Sequence, residues 1–553
     1  MKTRRKSRQI NWFVIGIVLL PLVAIGAYFW ATGMIGSLED YRSPLKDTAP
    51  APGADLGDPL TRRVVVVLVD ALRYDTSTDA TVMPVLNQLR AEGASAVMHS
   101  RPPSFSAPGW TTLLTGTWPD INDAQQFNPP DEVNVRTFTQ DDIFAAADRA
   151  GLNTAVSGYS WFEQMLANSG VDEGFYTIGE DNAADEDVVA AALPWLTGDY
   201  QLILIHIDQV DFAGHHEGGP LSENWTAAAS RADTMLGEIA AQLDLEQDTL
   251  IVISDHGQID QGGHGGNEPV TMLEPFVAVG AGILPGQYDD IYMVDVAPTL
   301  AILLGTSIPA SNQGLPLLEM LSIAPEQVGI VQAAAADQQT QLFSAYTAAI
   351  GETASVEAND TVISSTQLAM ELARKGRLAR ERVWRNMIAL LFVVLPPYLL
   401  IVRREKKALW PLAGALVYML LFNLRYAVLD KNTYGLSSVP GQTELILYIA
   451  VNTGAAMLIA WLGLMFSRRA FRTGAKAAAG SALGFVWATL YILSIPILLN
   501  FAVNNYVPSW TLPEFGVLFL GFLSVIQALL VAVIGLLLVG VSALAGKFSK
   551  RTN

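Results

Sequence analysis

Six apolar stretches, each long enough to cross a bilayer, limit what this 553-residue chain can fold into. About 20 predominantly apolar residues, as a helix, span the roughly 30 Å hydrocarbon core. The first stretch runs from Trp12 to about Trp30, behind the basic residues Lys2, Arg4, Arg5, Lys6 and Arg8. Five more follow Arg385, at roughly 386–402, 408–426, 443–466, 477–501 and 515–545. The mean hydropathy of +0.31 agrees with that density of apolar segments. A cleavable signal peptide competes for the first stretch. Its length and its bulky end at Tyr28, Phe29 and Trp30 favour a retained anchor.

Charge divides along the same lines. Residues 32–370 hold 10 Lys and Arg against 47 Asp and Glu, and the rest of the chain holds 24 against 6. An acidic middle of this kind repels a phosphate backbone, which argues against nucleic acid as a partner. The loops alternate in charge. Arg403, Arg404, Lys406 and Lys407 follow the second stretch, Arg468, Arg469, Arg472 and Lys476 the fourth, and Lys547, Lys550 and Arg551 the last. The loops at 427–442 and 502–514 have Lys431 as their one basic residue. The positive-inside rule then predicts cytoplasmic termini and an acidic middle on the extracytoplasmic or lumenal side. Residues 371–385, with six basic side chains on that outer side, read as a basic helix on the headgroups or as a solvated connector.

The expected organisation is a basic tail with the first span (1–31), a linker (32–60), a catalytic domain (61–330), a helical connector (331–385) and a five-helix membrane domain (386–553). Within the middle, Arg63–Val69, Leu202–Ile207, Leu250–Ile253 and Phe276–Val279 are short, continuous and mostly β-branched, as in strands of a parallel sheet covered on both faces. Helical patterns at Thr81–Glu92, Asp141–Ala150 and Asn224–Leu243 lie between them. The fold class is therefore α/β, a doubly wound, mainly parallel sheet, with an N-terminal anchor and a C-terminal helical membrane bundle.

Ligands of such sheets bind beyond the carboxyl ends of the strands. Asp70, Asp208, Asp211 and the Asp255-His256 pair all fall at such ends, with His215 and His264 close behind. The chain has no cysteine, so a transition metal must be held by imidazole and carboxylate. Three imidazoles among six ligands favour zinc over magnesium, which prefers oxygen. Two such ions can neutralise a phosphate, activate a hydroxyl and stabilise a leaving oxygen. A hydroxyl stands ready in the Pro-bracketed turn Pro103-Ser104-Phe105-Ser106-Ala107-Pro108.

At these residues the chain resembles the alkaline phosphatase superfamily, in particular its nucleotide pyrophosphatase/phosphodiesterases and its GPI ethanolamine-phosphate transferases. Val69-Asp70-Ala71-Leu72-Arg73-Tyr74-Asp75 is similar to the first metal motif of the transferases. Val210-Asp211-Phe212-Ala213-Gly214-His215, ending at Gly218, resembles their second, and Asp255-His256-Gly257 with His264-Gly265-Gly266 their third. A segment from Val294 to Pro309 resembles a structural helix of the same superfamily. The resemblance covers roughly 60–320. It implies one zinc on Asp211, His215 and His264, a second on Asp70, Asp255 and His256, and a nucleophile near both, Ser106 with Ser104 as fallback. The two branches usually have Thr at that place. A formylglycine sulfatase is disfavoured, because Trp110 stands where its Arg belongs.

Two activities follow from the resemblance. One is transfer of a phosphoethanolamine-like group from a membrane phospholipid donor to a lipid-linked or glycan acceptor through phospho-Ser106. The other is zinc-dependent phosphodiester hydrolysis. The membrane bundle favours transfer, because it can hold an amphiphilic substrate at the interface.

Overall fold

The computed structural model describes residues 11–352, 362–438 and 442–549. The basic residues of positions 2–8, and Lys550 and Arg551, lie outside them. One sheet organises the middle of the chain. Its strands are β1 (Arg63–Val69), β2 (Ala94–His99), β3 (Thr154–Tyr159), β4 (Glu173–Thr177), β5 (Leu202–Ile207), β6 (Asp248–Ile253), β7 (Leu273–Gly280), β8 (Gly286–Gln287) and β9 (Ile291–Tyr292). They lie in the order β4-β3-β5-β1-β6-β7-β2-β8, with β9 also against β2.

The expected α/β sheet is present and mainly parallel. β4, β3, β5, β1 and β6 run in one direction. The departure is β7, which runs antiparallel to both β6 and β2. Its apolar run matches a parallel strand because burial on both faces dictates composition and leaves direction open.

β1 is central because every residue in it is buried. Val64, Val66 and Leu68 enter the core on one face; Val65, Val67 and Val69 enter the core on the other. Each fully buried side chain of this kind contributes about 1.5–3 kcal/mol. Helices Ser106–Thr115, Ile143–Arg149 and Val296–Leu304 cover the first face, and Pro84–Glu92, Asn182–Leu196 and Glu223–Ala240 the second. Side-chain caps set where three of them start. Asp142 accepts from the Phe144 and Ala145 amides, Asp181 from that of Ala184, and Ser222 from that of Trp225.

Register then positions the chemistry. Val69 pairs with Ile207 and Leu68 with Ile253. The three strands therefore end at one level, and Asp70, Asp208 and Ser254-Asp255 are the residues that follow.

Among the described residues, six helices are long and apolar enough to cross a membrane: Trp12–Glu39, Thr366–Val402, Lys406–Leu429, Glu444–Ser467, Ala475–Asn504 and Phe515–Phe548. They pack around their own core, which includes Tyr418, Phe422, Ile449, Met457, Phe485 and Val531. The basic stretch 371–385, expected as a headgroup helix or a solvated connector, is helical. It belongs to one continuous helix, Val362–Val402, that runs on into the second span. Pairs one turn apart carry it: Glu371 with Arg374 and Lys375, and Arg377 with Glu381. The Arg377 guanidinium also lies over the Trp510 ring, 4.2 Å from its centroid. The expected linker 32–60 begins later, because the first helix runs on to Glu39; residues 42–60 have irregular backbone, yet Leu45 and Leu56 are buried, and Arg42 pairs with Asp123 at 2.6 Å.

Candidate active site

Three β-strand ends and one helix start converge. Asp70 leaves β1, and Ala71 after it takes a left-handed conformation, φ 57°. That unusual backbone directs the Ala71 amide to Asp255 Oδ1 at 3.2 Å. Asp211 and His215 lie one turn apart on the helix Gln209–His216 after β5. Asp255 and His256 follow β6, and His264 comes from the glycine-rich loop behind them.

These side chains form two adjoining groups. Asp211, His215 and His264 make the first, with His215 Nε2 3.4 Å from Asp211 Oδ2 and His264 Nε2 3.5 Å from Asp211 Oδ1. Asp70, Asp255 and His256 make the second, with His256 Nε2 3.4 Å from Asp70 Oδ1 and 3.5 Å from Asp255 Oδ2. The His256 and His264 rings stack at 4.2 Å, so the two groups share a wall. All six residues expected as ligands are thus brought together.

Both shared-wall imidazoles are oriented from behind. His256 Nδ1 lies 3.1 Å from the Gly257 carbonyl and His264 Nδ1 3.0 Å from that of Ser104. Each Nδ1 then carries the proton and each Nε2 presents a lone pair to its cluster. Burial pushes the His256 pKa down to about 4 and that of His264 to about 3, so both rings are neutral at pH 7.

The carboxylates divide. Burial and the neighbouring Asp255 push Asp70 well above the usual range, and burial takes Asp255 to about 7. Asp211 is held low, at about 2. Burial there is outweighed by His215 and the other histidines, with Gln258 Nε2 donating at 2.6 Å. Asp70 Oδ1 and Asp255 Oδ2 are buried and have no hydrogen-bond partner. Buried carboxylates without donors are costly unless a cation compensates them. The donor set, carboxylate and imidazole with no thiolate, fits zinc.

Ser106 is the first residue of its helix, and its Oγ lies 3.2 Å from His256 Nε2 and 3.4 Å from Asn128 Nδ2. The helix start carries a partial positive charge, which favours an anion there, although the Ala107 amide donates to Asn128 Oδ1 at 3.2 Å, Pro108 has no amide proton and the Gly109 amide donates to the Phe105 carbonyl. Gly109 lets this helix approach, since a Cβ at that position would come within 3.0 Å of the Asp255 Cβ. Ser104 is differently placed. Its hydroxyl bonds the Gly266 carbonyl, Thr271 Oγ1 and the Gly265 amide at 3.0–3.1 Å, tying down the His264 loop.

The other histidines separate by position. His99 ends β2 and meets Asp290 at 2.8 Å, and His216 packs on Phe212. His206 is fully buried, with Nε2 3.0 Å from Asp70 Oδ2. It forms a third Asp and His group with Asp70 and Asp208. Two supports were not legible in the chain. Gln258 joins Asp211 to the Trp225 indole, and Trp110 donates from Nε1 to Asp70 Oδ2 at 3.2 Å. The only signal was Trp110 in place of the sulfatase arginine, and the structure gives it this distinct partner.

The site is fastened to the membrane bundle. The Gly266 amide donates to Ser437 Oγ at 2.9 Å, and Glu268 bonds both Thr433 and Ser437. Gly263 passes so close to the Ser437 carbonyl that a Cβ there would collide with it. The loop carrying His264 therefore rests directly on the loop between the third and fourth spans.

Comparison with known proteins agrees with the motifs. Residues 64–270 match the type I phosphodiesterase/nucleotide pyrophosphatase family. The matched segment contains Asp70, Ser106 and every other residue of the two clusters. The human GPI ethanolamine phosphate transferase 2 catalytic subunit is 27% identical over 304 residues, half of this chain and 30% of that protein. The Candida albicans GPI ethanolamine phosphate transferase 2 is 26% identical over 348 residues, 58% of this chain and 39% of that protein. The chain thus spans well under half the length of these relatives. Among solved structures, murine ectonucleotide pyrophosphatase/phosphodiesterase 5 is 16% identical, with a TM-score of 0.37 over 47% of this chain and 100% of that one.

Proposed function

We propose that the protein is a membrane-bound two-zinc phosphotransferase. It moves a phosphoethanolamine-like group from a phospholipid to a lipid-linked or glycan acceptor through a covalent intermediate on Ser106. The carrying observation is the position of the Ser106 hydroxyl, at a helix start beside His256 and next to two Asp and His clusters. Asp70, Asp255 and His256 would hold one zinc, and Asp211, His215 and His264 the other, with Ser106 Oγ also a ligand. When bound, such ions neutralise the phosphate oxygens and lower the pKa of the serine hydroxyl.

The chain's own groups do the rest. Ser106 Oγ attacks phosphorus, and the bond to the diacylglycerol oxygen breaks. The Ser106 proton goes to solvent, and the leaving oxygen takes one up. Asn128 Nδ2, beside Ser106 Oγ, and the partial positive charge of the helix start favour the phosphate oxygens. An acceptor hydroxyl then attacks the same phosphorus and displaces Ser106 Oγ, which regains a proton.

Loop charge supports catalysis on the extracytoplasmic or lumenal face, with cytoplasmic termini. The loops bonded to the catalytic domain and its connector, at Thr433–Ser437 and Trp510, are those poor in Lys and Arg. The alternative is hydrolysis, with water in place of the acceptor. It is favoured by the matched family's description and by the exposure of His215 at the outer edge of the site.

Full-length protein in vesicles of diacyl phosphoethanolamine lipid, supplied with a lipid-linked glycan bearing free hydroxyls, separates the two. Mass spectrometry is expected to find the phosphoethanolamine mass on the acceptor. Free phosphoethanolamine alone indicates hydrolysis, and an intact donor rejects both.

A further inference from the structure

Beside the active site, an apolar cavity of about 210 Å³ lies between the catalytic domain and the spans. Every residue lining it is apolar. On the domain side the wall is Phe105 and Phe127. Phe105 immediately precedes Ser106, and its ring meets those of His264 and Phe127 at 5.4 and 5.6 Å. Phe127 precedes Asn128. Leu436, next to the Ser437 that bonds Gly266, adds a third contribution from a site-facing loop. On the membrane side the wall comes from the first span at Met34, the fourth at Leu445 and Ile446, and the last at Leu518.

We propose that this cavity receives an acyl chain of the phospholipid whose phosphate lies at Ser106. The proposal rests on the phospholipid-donor reading above. Three observations point to this occupant. The cavity is larger than the roughly 150 Å³ apolar cavities that take up benzene. Its surroundings are spans, so the solvent available to fill it is lipid. Ile446 lines it and is 52% exposed on the fourth span, which leaves a lateral way in from the bilayer.

The benefit to the protein is position. Lipid tails are as apolar as leucine, so a chain entering from the bilayer gains little from transfer itself. What it gains is contact with fixed walls, and it brings its own phosphate to the helix start at Ser106. Orientation of that kind accelerates a reaction without new chemistry. A water-soluble phosphodiester has no chain to place there.

Two measurements on the full chain test this. A phospholipid with a photoreactive group near the end of one acyl chain is expected to label the side chains of Met34, Leu445 or Leu518, with each adduct assigned to its residue by fragmentation. Labelling confined to outward residues such as Leu447 and Leu537, 63% and 67% exposed, overturns the proposal. Leu445→Trp and Leu518→Trp fill the cavity. Each is expected to lower the ratio of kcat/KM for the diacyl donor to that for a short-chain phosphoethanolamine ester by about tenfold or more. An unchanged ratio overturns the proposal. If the wild-type protein cleaves neither substrate, the phosphotransfer reading fails, and the labelling pattern still decides whether a chain occupies the cavity.

Discussion

Ser106→Ala is expected to lower turnover by about 10³-fold or more while leaving the fold and the bound metal intact, as for other covalent nucleophiles. Removing Oγ takes away the atom that forms the intermediate, and no other hydroxyl can replace it. The nearest alternative, Ser104, spends its hydroxyl on Gly266, Thr271 and Gly265. Ser104→Ala leaves the nucleophile in place and instead removes a buried bond to the Gly265 amide, at a cost of about 1–3 kcal/mol. It is expected to loosen the His264 loop, reducing metal affinity and thermal stability more than the rate of the metal-loaded enzyme. Full activity in Ser106→Ala, measured on a phosphodiester substrate with the zinc content determined alongside, contradicts the assignment.

The second large effect is metal removal. Chelation is expected to abolish activity and to lower the melting temperature. Buried Asp70 Oδ1 and Asp255 Oδ2 then lack any partner, and a ligand that binds only the folded state contributes about 4 kcal/mol at 1,000 times its Kd. Metal analysis is expected to find close to two zinc ions per chain, falling to about one in Asp211→Asn. The pH dependence has a definite sign. In the ion-free site Asp255, at about 7, and Asp70 above the usual range hold protons that an incoming cation must displace. Affinity should therefore weaken as pH falls below about 7, by about tenfold per unit for each proton expelled. His256 and His264, at about 4 and about 3, offer no competing proton until far lower pH. Calorimetry in buffers of different ionisation enthalpy reads the released protons; zinc uptake independent of pH between 5 and 7 rules this out. An active protein without metal overturns the whole scheme.

The sequence revealed most where one physical demand acts alone. Arg63–Val69 and Leu202–Ile207 are strands over the expected residues because burial on both faces leaves no other pattern. Each ends on the carboxylate that the sheet then delivers to the site. β3 and β4 were not legible. β3 carries Ser157 and Gly158 in its interior, and β4 is a half-exposed edge with no apolar run. The direction of β7 was hidden for the reason given above. The charge of residues 371–385 suits a headgroup surface and a connector equally, and the pairing along the helix and with Trp510 that keeps them in line with the span depends on folding. In the site, the motifs marked the six cluster residues and the Ser106 turn. Gln258, Trp110 and the Glu268 contact with the bundle are invisible in one dimension, because each acts on a partner brought close only by folding.

The central claim is a phosphoryl group carried on Ser106, and the peptide that contains it tests that claim directly. Zinc-loaded full-length protein is incubated with a diacyl phosphoethanolamine lipid in the absence of acceptor, quenched in acid and digested. Mass spectrometry is predicted to show the mass of phosphoethanolamine on Ser106, disappearing when acceptor is added. An active protein whose Ser106 stays unmodified, or whose adduct sits on another residue, contradicts the account.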